Sequence, residues 1–309
     1  MTVFLLLASM LATLNAEGWL GDLLGNFRPH YLVLAALLLI PAILRLNFLQ
    51  IILLGLIFAI NMAALNPLPT APEAPEAPGQ ALKVLSFNLW RRNEDHEKLL
   101  DYLRRRPVDV AVLVEANAAW QEDLQRLKDV YPYSLGTERD LRGGTYILSR
   151  HPFKRSQWLN WPNEAQPGLI TELTVGGKQI TIVGVHLLRP LTPSGHASRE
   201  EQIDLLIELA KALKGPVLVA GDFNTVPWSK SFAKIIEKSD LRPATSYDPG
   251  FTTWPIRMPF LTFLPISLEY GGIPIDHMLL QGGLEMIRIE KGPDLKSDHR
   301  PILAEVVIR

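Results

Sequence analysis

Residues 217–224 read VLVAGDFN, a short aliphatic run followed at once by a glycine, a carboxylate and an amide. The run Val217–Ala220 predicts a short buried strand. Asp222 and Asn224 come directly after this run, and the end of a strand is a rigid place to hold a functional side chain. This stretch therefore indicates an α/β domain that carries its polar chemistry at strand ends.

The pattern of short apolar runs continues along the chain from residue 81 onward. Amphipathic stretches separate many of these runs, which is typical of an α/β fold. Gly-rich turns join several neighbouring strands directly, so we expect antiparallel pairs mixed with helical crossovers. The predicted strands are 82–87, 108–114, 144–149, 169–175, 179–186, 217–220, 275–280 and 302–308, and the predicted helices are 94–105, 198–213 and 229–238.

Polar side chains fall at or just after the predicted strands. They are Asn88, Glu115, His186, Asp222, Asn224, Asp276, Asp298 and His299. Each one alone has an ordinary structural explanation, such as a turn for Asn88, a helix cap for Asp222 and a hydrogen-bonded core position for His186. Together they supply carboxylate, amide and imidazole groups, a set that suits Mg²⁺ or Mn²⁺ and phosphate chemistry.

The composition excludes several other kinds of site. The 309 residues include no cysteine, so disulfides, thiolate zinc sites and cysteine nucleophiles are excluded. Residues 81–309 hold 29 of the 31 Lys and Arg residues and 28 of the 32 Asp and Glu residues, which leaves this part of the chain close to neutral. A near-neutral domain lacks the positive surface that strong nonspecific binding of nucleic acid requires.

Six short blocks stand in order along the C-terminal part of the chain. They are VLSFNLW at 84–90, VLVE at 112–115, GVHL at 184–187, GDFN at 221–224, IDH at 275–277 and SDHRP at 297–301, with a weaker seventh block at 143–150. These blocks resemble the endonuclease/exonuclease/phosphatase superfamily over residues 82–309. The resemblance implies a two-sheet α/β sandwich and a metal-dependent phosphoester hydrolase that uses Mg²⁺ or Mn²⁺.

The resemblance also implies roles for the matching metal and water residues. Glu115 would be the main metal carboxylate, with Asn88 and Asp298 close to the metal. Asp222 would orient or deprotonate the attacking water, and Asn224 would donate a hydrogen bond to a phosphoryl oxygen. Direct in-line attack by water, without a covalent intermediate, is likewise what the resemblance implies.

Of the remaining matching residues, two histidines would contact the phosphoryl group. His299 would lie against it, with Asp276 fixing the tautomer of the imidazole and raising its pKa. His186 would be the second imidazole donor, and Trp90 would line the substrate cleft, with a core aromatic as the alternative. We expect His277 to pack on the opposite side of the sheet, and His196 to lie in a solvated loop.

Residues 1–66 are strongly apolar, and their charged residues are only Glu17, Asp22, Arg28 and Arg45. The apolar stretches are 3–14, 31–44 and 48–65, of which the last is long enough to cross a hydrocarbon core at ~1.5 Å per residue. We predict three transmembrane helices here. One alternative is a signal-peptide core in the first stretch, although no Lys or Arg precedes it. The other is an apolar hairpin packed on the C-terminal domain itself.

Arg45 is the only charged residue in the predicted turn between the second and third spans, so the positive-inside rule places this turn in the cytoplasm. Three spans then put the domain of residues 81–309 on the outer side of the cytoplasmic (inner) membrane, in the periplasm of a Gram-negative cell. Residues 67–80 read PLPTAPEAPEAPGQ, and such recurrent proline predicts an extended, semi-rigid linker.

Residues 255–268 form a strongly apolar segment with one Arg and three Pro, shortly before the Asp276 strand. An apolar patch beside a site usually marks a binding surface, and for an anchored enzyme a membrane is a natural partner. The alternative is that the segment packs against the sandwich or the N-terminal helices.

The sequence therefore predicts a membrane-anchored, metal-dependent phosphoester hydrolase. Its favoured substrate is a lipid-linked or membrane-surface phosphodiester. One alternative is a metal-dependent nuclease that cleaves nucleic acid outside the cytoplasm. The other is a non-enzymatic membrane-binding module, which is disfavoured because every expected metal and proton-transfer residue is present. The sequence contains neither a Walker-type nucleotide loop nor a serine-nucleophile elbow.

Overall fold

The structure is a computed structural model that describes residues 1–65, 80–137, 143–162, 167–244, 251–255 and 271–309. The predicted linker 67–80 lies outside the described residues up to residue 79. The predicted apolar binding segment 255–268 lies outside them from residue 256 onward.

The described residues form an N-terminal group of helices followed by two sheets with helices between their strands. In chain order the elements are α1 Thr2–Leu14, α2 Trp19–Gly25, α3 Arg28–Leu44, α4 Phe48–Ala64, β1 Gln80–Asn88, α5 His96–Arg105, β2 Val110–Ala116, α6 Ala118–Leu124, β3 Tyr133–Gly136, β4 Gly144–Ser149, β5 Phe153–Leu159, β6 Gly168–Val175, β7 Lys178–His186, α7 Pro193–Ala212, β8 Val217–Asp222, α8 Lys230–Lys238, β9 Arg242–Pro243, β10 Asp276–Gln281, β11 Leu284–Lys291 and β12 Ile302–Ile308.

In the described part of the domain, the strands form two six-stranded sheets. Their strand orders are β11-β12-β1-β2-β4-β3 and β5-β6-β7-β8-β10-β9. Val84, Val112 and Ile147 of the first sheet share one buried core with Ile182 and Leu218 of the second. The predicted two-sheet α/β sandwich is confirmed, because this core joins the inner faces of both sheets.

Helices cover the outer face of each sheet. Leu99 and Leu103 of α5, with Trp120 of α6, are buried in one cluster with strand residues of the first sheet. Ile203 of α7 and Phe232 of α8 are buried in another with strand residues of the second. The apolar residues on alternating faces of the strands are therefore covered on both sides, which explains why the strands read as nearly continuous apolar runs.

Each sheet contains one parallel pair, and both pairs end at the site. Strand β1 runs parallel to β2, and β7 runs parallel to β8. Strand β10 runs antiparallel to β8, so its first residue, Asp276, lies opposite Asp222 at the last residue of β8. The predicted strand-end residues are therefore gathered at one edge of the sandwich, since the last residues of the parallel strands and the first residue of the antiparallel β10 meet there.

The N-terminal helices differ from the prediction in number. Helices α1, α3 and α4 correspond to the three predicted spans, and α2 is an additional short helix between the first two. Taken singly, none of the helices in the described parts of the chain is long and apolar enough to cross a membrane. Helices α1 and α2 are together long and apolar enough, but they are bent by 120° where they meet. The predicted transmembrane segment is therefore not confirmed.

The three long N-terminal helices pack on one another through a small core that includes Leu5, Tyr31 and Ile57. Their outer faces leave many large apolar side chains exposed. Examples are Val3, Phe4, Leu37, Ile40, Leu49 and Ile52. Exposed apolar side chains on this scale are typical of a surface that meets an apolar partner.

Gly221 in β8 makes a backbone approach that no other residue could make. Its φ is 147°, and a Cβ at this position would lie 1.8 Å from the carbonyl oxygen of Val185 in β7. The two strands pair at this point, with Val185 opposite Gly221. The glycine therefore lets β7 and β8 run side by side directly before their functional ends.

We predict that Gly221→Ala destabilises the protein by more than about 3 kcal/mol, because the new methyl group can be accommodated only if paired backbone moves. Chemical denaturation followed by circular dichroism measures this. The control is Gly177→Ala, which has a φ of 81° and nothing within 4 Å of its Cβ. It should cost only about 1 kcal/mol. Equal costs for the two variants would contradict the steric explanation.

Candidate active site

Glu115 lies at an irregular point of β2. The pairing of β2 with β4 shifts register between Leu113 and Ala116, and Glu115 has a φ of 60°. This left-handed backbone costs ~1 kcal/mol in a residue other than glycine. Gly143 packs directly against it, since a Cβ there would lie 2.6 Å from the Glu115 carbonyl group. The backbone around Glu115 is thus shaped to present one carboxylate.

That carboxylate is buried and surrounded by donors. The Arg91 N–H donates to Glu115 Oε2 at 3.1 Å, and Asn88 Nδ2 donates to Oε1 at 3.2 Å. Burial by itself would raise the pKa of Glu115, but nearby His186, the Arg91 N–H and Arg189 outweigh burial and lower it to about 2. Glu115 is therefore ionised at neutral pH.

Asn88 at the end of β1 links Glu115 to a second carboxylate. Its Nδ2 also donates to Asp222 Oδ2 at 3.0 Å, while its Oδ1 accepts from the Trp90 N–H at 2.9 Å. The amide nitrogen, and not the oxygen, thus faces the two acids. In this arrangement Asn88 orients the carboxylates, and its predicted place close to a metal stays a prediction.

Asp222 lies at the centre of the group. His186 Nε2 and His299 Nε2 are each 3.7 Å from its Oδ2 atom. The backbone N–H of Asn224 donates to its Oδ1 at 2.9 Å. Burial and the charge of Asp276 raise the pKa of Asp222 against the opposing effect of the two histidines and Asn224. A carboxylate with a raised pKa is suited to accept a proton from water.

His299 forms the best-defined pair in the site. Its Nδ1 lies 2.8 Å from Asp276 Oδ2, and both side chains are buried. Burial alone would lower the pKa of His299, but the charge and hydrogen bond of Asp276, with the charges of Asp222 and Asp298, raise it to about 9. His299 is therefore protonated at neutral pH and presents an N–H at Nε2.

The remaining predicted residues border this group. Asn224 has a φ of 47°, which asparagine tolerates better than most residues, and its Nδ2 donates to Leu187 O at 2.8 Å. Trp90 is half-buried directly after Asn88, also with a positive φ of 55°. Asp298 is adjacent to His299, and its Oδ1 is buried without a hydrogen-bond partner among the described residues.

The oxygen donors of this site fit a hard divalent cation. Glu115 offers an ionised carboxylate, and the unpartnered Oδ1 of Asp298 is a second anionic oxygen at the site. Such ligands are those that Mg²⁺ and Mn²⁺ prefer.

A different group of residues is also close enough together to bind a metal ion. Ligand atoms of Asp222, Asp276 and His299 lie within 4.8 Å of one another. Glu115 and Asp298, which the resemblance assigns to the metal, lie outside this group and remain our prediction. In this structure Asp276 Oδ2 is hydrogen-bonded to His299 Nδ1 at 2.8 Å, and Asp276 Oδ1, like Asp298 Oδ1, is buried without a hydrogen-bond partner among the described residues.

One charged residue of the site was not predicted. Arg189 follows His186 by three residues, and its guanidinium lies 2.7 Å from Glu115 Oε1 while half of the side chain is exposed. The sequence feature that could have identified Arg189 is its position three residues after His186, a predicted imidazole donor.

The expectation for His196 was wrong, and that for His277 is confirmed. Helix α7 begins at Pro193, so His196 lies in its first turn and is buried. His277 lies between the rings of Phe223 and Phe232 and contacts Thr225 O through Nε2 at 2.8 Å.

Comparison with known proteins places these features in a family. Residues 85–299 match the Endonuclease/Exonuclease/phosphatase family. The chain is 25% identical over 244 residues to the UPF0294 protein of Vibrio campbellii, covering 74% of this chain and 78% of that protein. It is 29% identical over 152 residues to a UPF0294 protein of Vibrio vulnificus, covering 49% and 47% of the two chains.

Solved structures share the fold at low sequence identity. D. rerio TDP2 complexed with a single-strand DNA product superposes with a TM-score of 0.62 and 19% identity, covering 73% of this chain and 98% of that chain. Sphingomyelinase C from Streptomyces griseocarneus superposes with a TM-score of 0.53 and 22% identity, covering 74% and 99%. At these identities the similarity concerns the fold alone.

We predict that Asp276→Asn moves the pKa of His299 from about 9 towards its ordinary value. Titration of the imidazole Cε1–H by NMR, with EDTA present, measures this. A raised pKa contributes stability that is complete below the unfolded value near 6.5 and is lost as pH rises through about 9. The wild type should therefore lose stability over that window, and the variant should not.

The matched control is Asp123→Asn, which removes the carboxylate 2.7 Å from Nδ1 of a different histidine, His96. It should leave the titration of His299 unchanged. A His299 that still titrates near pH 9 in Asp276→Asn would contradict the assigned cause.

We predict that Glu115→Gln weakens Mn²⁺ binding at least ~10-fold, because the amide keeps the shape of the side chain and removes its charge. Electron paramagnetic resonance of free Mn²⁺ gives the affinity without any reference to activity. Glu122→Gln, an exposed carboxylate on α6, is the control and should bind as the wild type does. Unchanged affinity in Glu115→Gln would exclude Glu115 as a ligand.

Proposed function

Since the chain belongs to the endonuclease/exonuclease/phosphatase family of metal-dependent phosphoester hydrolases, we propose that it is a membrane-anchored phosphodiesterase that cleaves a lipid-linked or membrane-surface substrate. One observation carries the choice of substrate. The N-terminal helices, with their exposed apolar faces, are docked beside the loops that border the site. A substrate held at a membrane surface would be close to a site anchored in this way.

The site residues support hydrolysis by direct attack of water. The Asp222 carboxylate is buried, has a raised pKa and faces both imidazole Nε2 atoms through Oδ2, so we assign it as the group that accepts the proton of the attacking water. His299 and His186 direct their Nε2 atoms to the same oxygen, each at 3.7 Å, so a phosphoryl group bound here would meet both imidazoles. Asp276 holds the Nδ1 proton of His299 and keeps its Nε2 as a donor.

A divalent cation held by Glu115 and Asp298 would, when bound, neutralise phosphate charge and stabilise the leaving oxygen. The protein itself supplies the orientation. Asn88 ties Glu115 to Asp222 through one amide group, and Asn224 holds the other oxygen of Asp222. Proton acceptor and candidate metal carboxylate are therefore fixed relative to each other before substrate arrives.

We predict that the full chain in detergent–phospholipid micelles hydrolyses bis(p-nitrophenyl) phosphate with Mg²⁺ or Mn²⁺, and that Asp222→Asn lowers kcat by ~100-fold or more. The amide can no longer accept the proton, while the size of the side chain is kept. Asp129→Asn, which changes an exposed acid that is not one of the site residues, serves as the control and should retain full activity.

The same proteins should be tested on vesicles of phosphatidylethanolamine with phosphatidylglycerol and on single-stranded DNA. Release of a phosphorylated or free headgroup that needs Asp222, with DNA left intact, is the expected result. Cleavage of DNA with intact vesicle lipids would contradict the lipid proposal and favour the nuclease. Wild-type inactivity on every substrate would favour a binding module.

A further inference from the structure

The N-terminal helices contact three loops that lead into or out of the catalytic strands. The contacts are Trp19 Nε1 to Pro190 O at 2.9 Å after β7, Trp228 Nε1 to Gly25 O at 2.8 Å after β8, and His30 Nε2 to Gly271 O at 2.8 Å before β10. Strands β7, β8 and β10 carry His186, Asp222 and Asp276 respectively. The helices therefore pack against the part of the domain that carries the candidate active-site residues.

A buried arginine lies at the centre of this contact. Arg199 in α7 has 0% of its surface exposed, and Asp22 in α2 has 4%. Arg199 Nη2 donates to Asp22 Oδ2 at 3.0 Å, and Nη1 donates to the backbone carbonyl of Asn224 at 2.9 Å. One guanidinium therefore connects the N-terminal segment to the loop that follows Asp222.

Asp22 is important for the position of Arg199 because its carboxylate is paired with the buried positive charge of the guanidinium. A buried cation is strongly destabilising unless an anion is paired with it. Among the described residues, the nitrogen that meets Asp22 also contacts the Glu200 carboxylate at 3.2 Å, whose side chain is 26% exposed, and donates to Ser231 Oγ at 2.9 Å. Without Asp22, we expect the guanidinium to shift towards Glu200 and away from the carbonyl of Asn224.

This hydrogen bond is one of three that hold Asn224 in a left-handed backbone conformation. Its φ of 47° is held by its own N–H to Asp222 Oδ1 at 2.9 Å, by its side chain to Leu187 O at 2.8 Å, and by Arg199 at its carbonyl. Loss of the last contact leaves the peptide freer to rotate. The hydrogen bond that orients the Asp222 carboxylate would then be lost or lengthened.

We propose that the N-terminal helical segment is a positioning element of the active site, with Asp22 and Arg199 as positioning residues that fix Asn224 and, through it, Asp222. This inference rests on the proposed function where it concerns catalysis. Neither residue touches the reacting atoms. Their effect is that the site is correctly formed only while the helices are docked, so the state of the anchor controls the rate of the enzyme.

The test uses the full chain in detergent, with Asp22→Asn compared with Glu17→Gln. Glu17 is an exposed acid in the same N-terminal segment, so its variant removes an equal charge without touching Arg199. Asp22→Asn should lower kcat for bis(p-nitrophenyl) phosphate by about 10- to 100-fold with little change in KM. Hydrogen exchange at residues 222–229 should become faster. Glu17→Gln should change neither quantity.

Arg199→Lys is the second variant, should Asp22→Asn fail to fold. Lysine keeps the charge beside Asp22, but its single ammonium cannot match the fork that reaches both Asp22 and Asn224. The same fall in kcat is expected with a smaller loss of stability.

Unchanged kcat and unchanged exchange at residues 222–229 in a folded variant would overturn the inference. So would a lower melting temperature with unchanged kcat, since that marks a purely structural contact. If the wild type hydrolyses no substrate, the proposed function fails, while hydrogen exchange still decides whether the helices position the loop.

Discussion

The hydrogen bond from Asn88 to Asp222 is the interaction on which the site depends. Asn88 ends a strand of the first sheet and Asp222 ends a strand of the second, and the bond is 3.0 Å long and fully buried. A buried carboxylate requires donors around it. The donors around Asp222 come from both sheets, so the hydrogen bonds that this carboxylate needs hold the site ends of the two sheets together. Glu115 belongs to the same network, because Asn88 also donates to it.

Backbone strain is concentrated at the same place. Trp90, Glu115 and Asn224 all have left-handed backbones, with φ of 55°, 60° and 47°. Such conformations persist only where the surrounding structure over-determines them. The continuous apolar core between the sheets supplies that support, since it holds the strand that contains Glu115 and the strands that Trp90 and Asn224 directly follow. Packing between the two sheets therefore stabilises three residues in left-handed backbone conformations that they would not adopt by their own preference.

The sandwich and the gathering of site residues were predictable because each signal is local. A short apolar run predicts a strand, and a polar residue after it predicts a strand-end position. Strand β5 was missed because its residues are largely exposed and polar, and β3 because it has only four residues. The left-handed turn at Glu115 was not predictable either, since it depends on Gly143, which is distant in sequence and close only in the fold.

The docking of the N-terminal helices was outside the reach of sequence reasoning for a related reason. Asp22 and Arg199 are 177 positions apart, and neither belongs to a motif. Yet a charge within an apolar segment is costly unless it has a partner. Asp22 meets Arg199, and Arg28 donates to Ala12 O at 2.7 Å. Asp22 therefore marks a place where the segment meets the C-terminal domain, whereas Arg28 is satisfied within the segment itself. The uncharged faces of α1, α3 and α4 remain for an apolar partner, which is what the proposed membrane anchor requires.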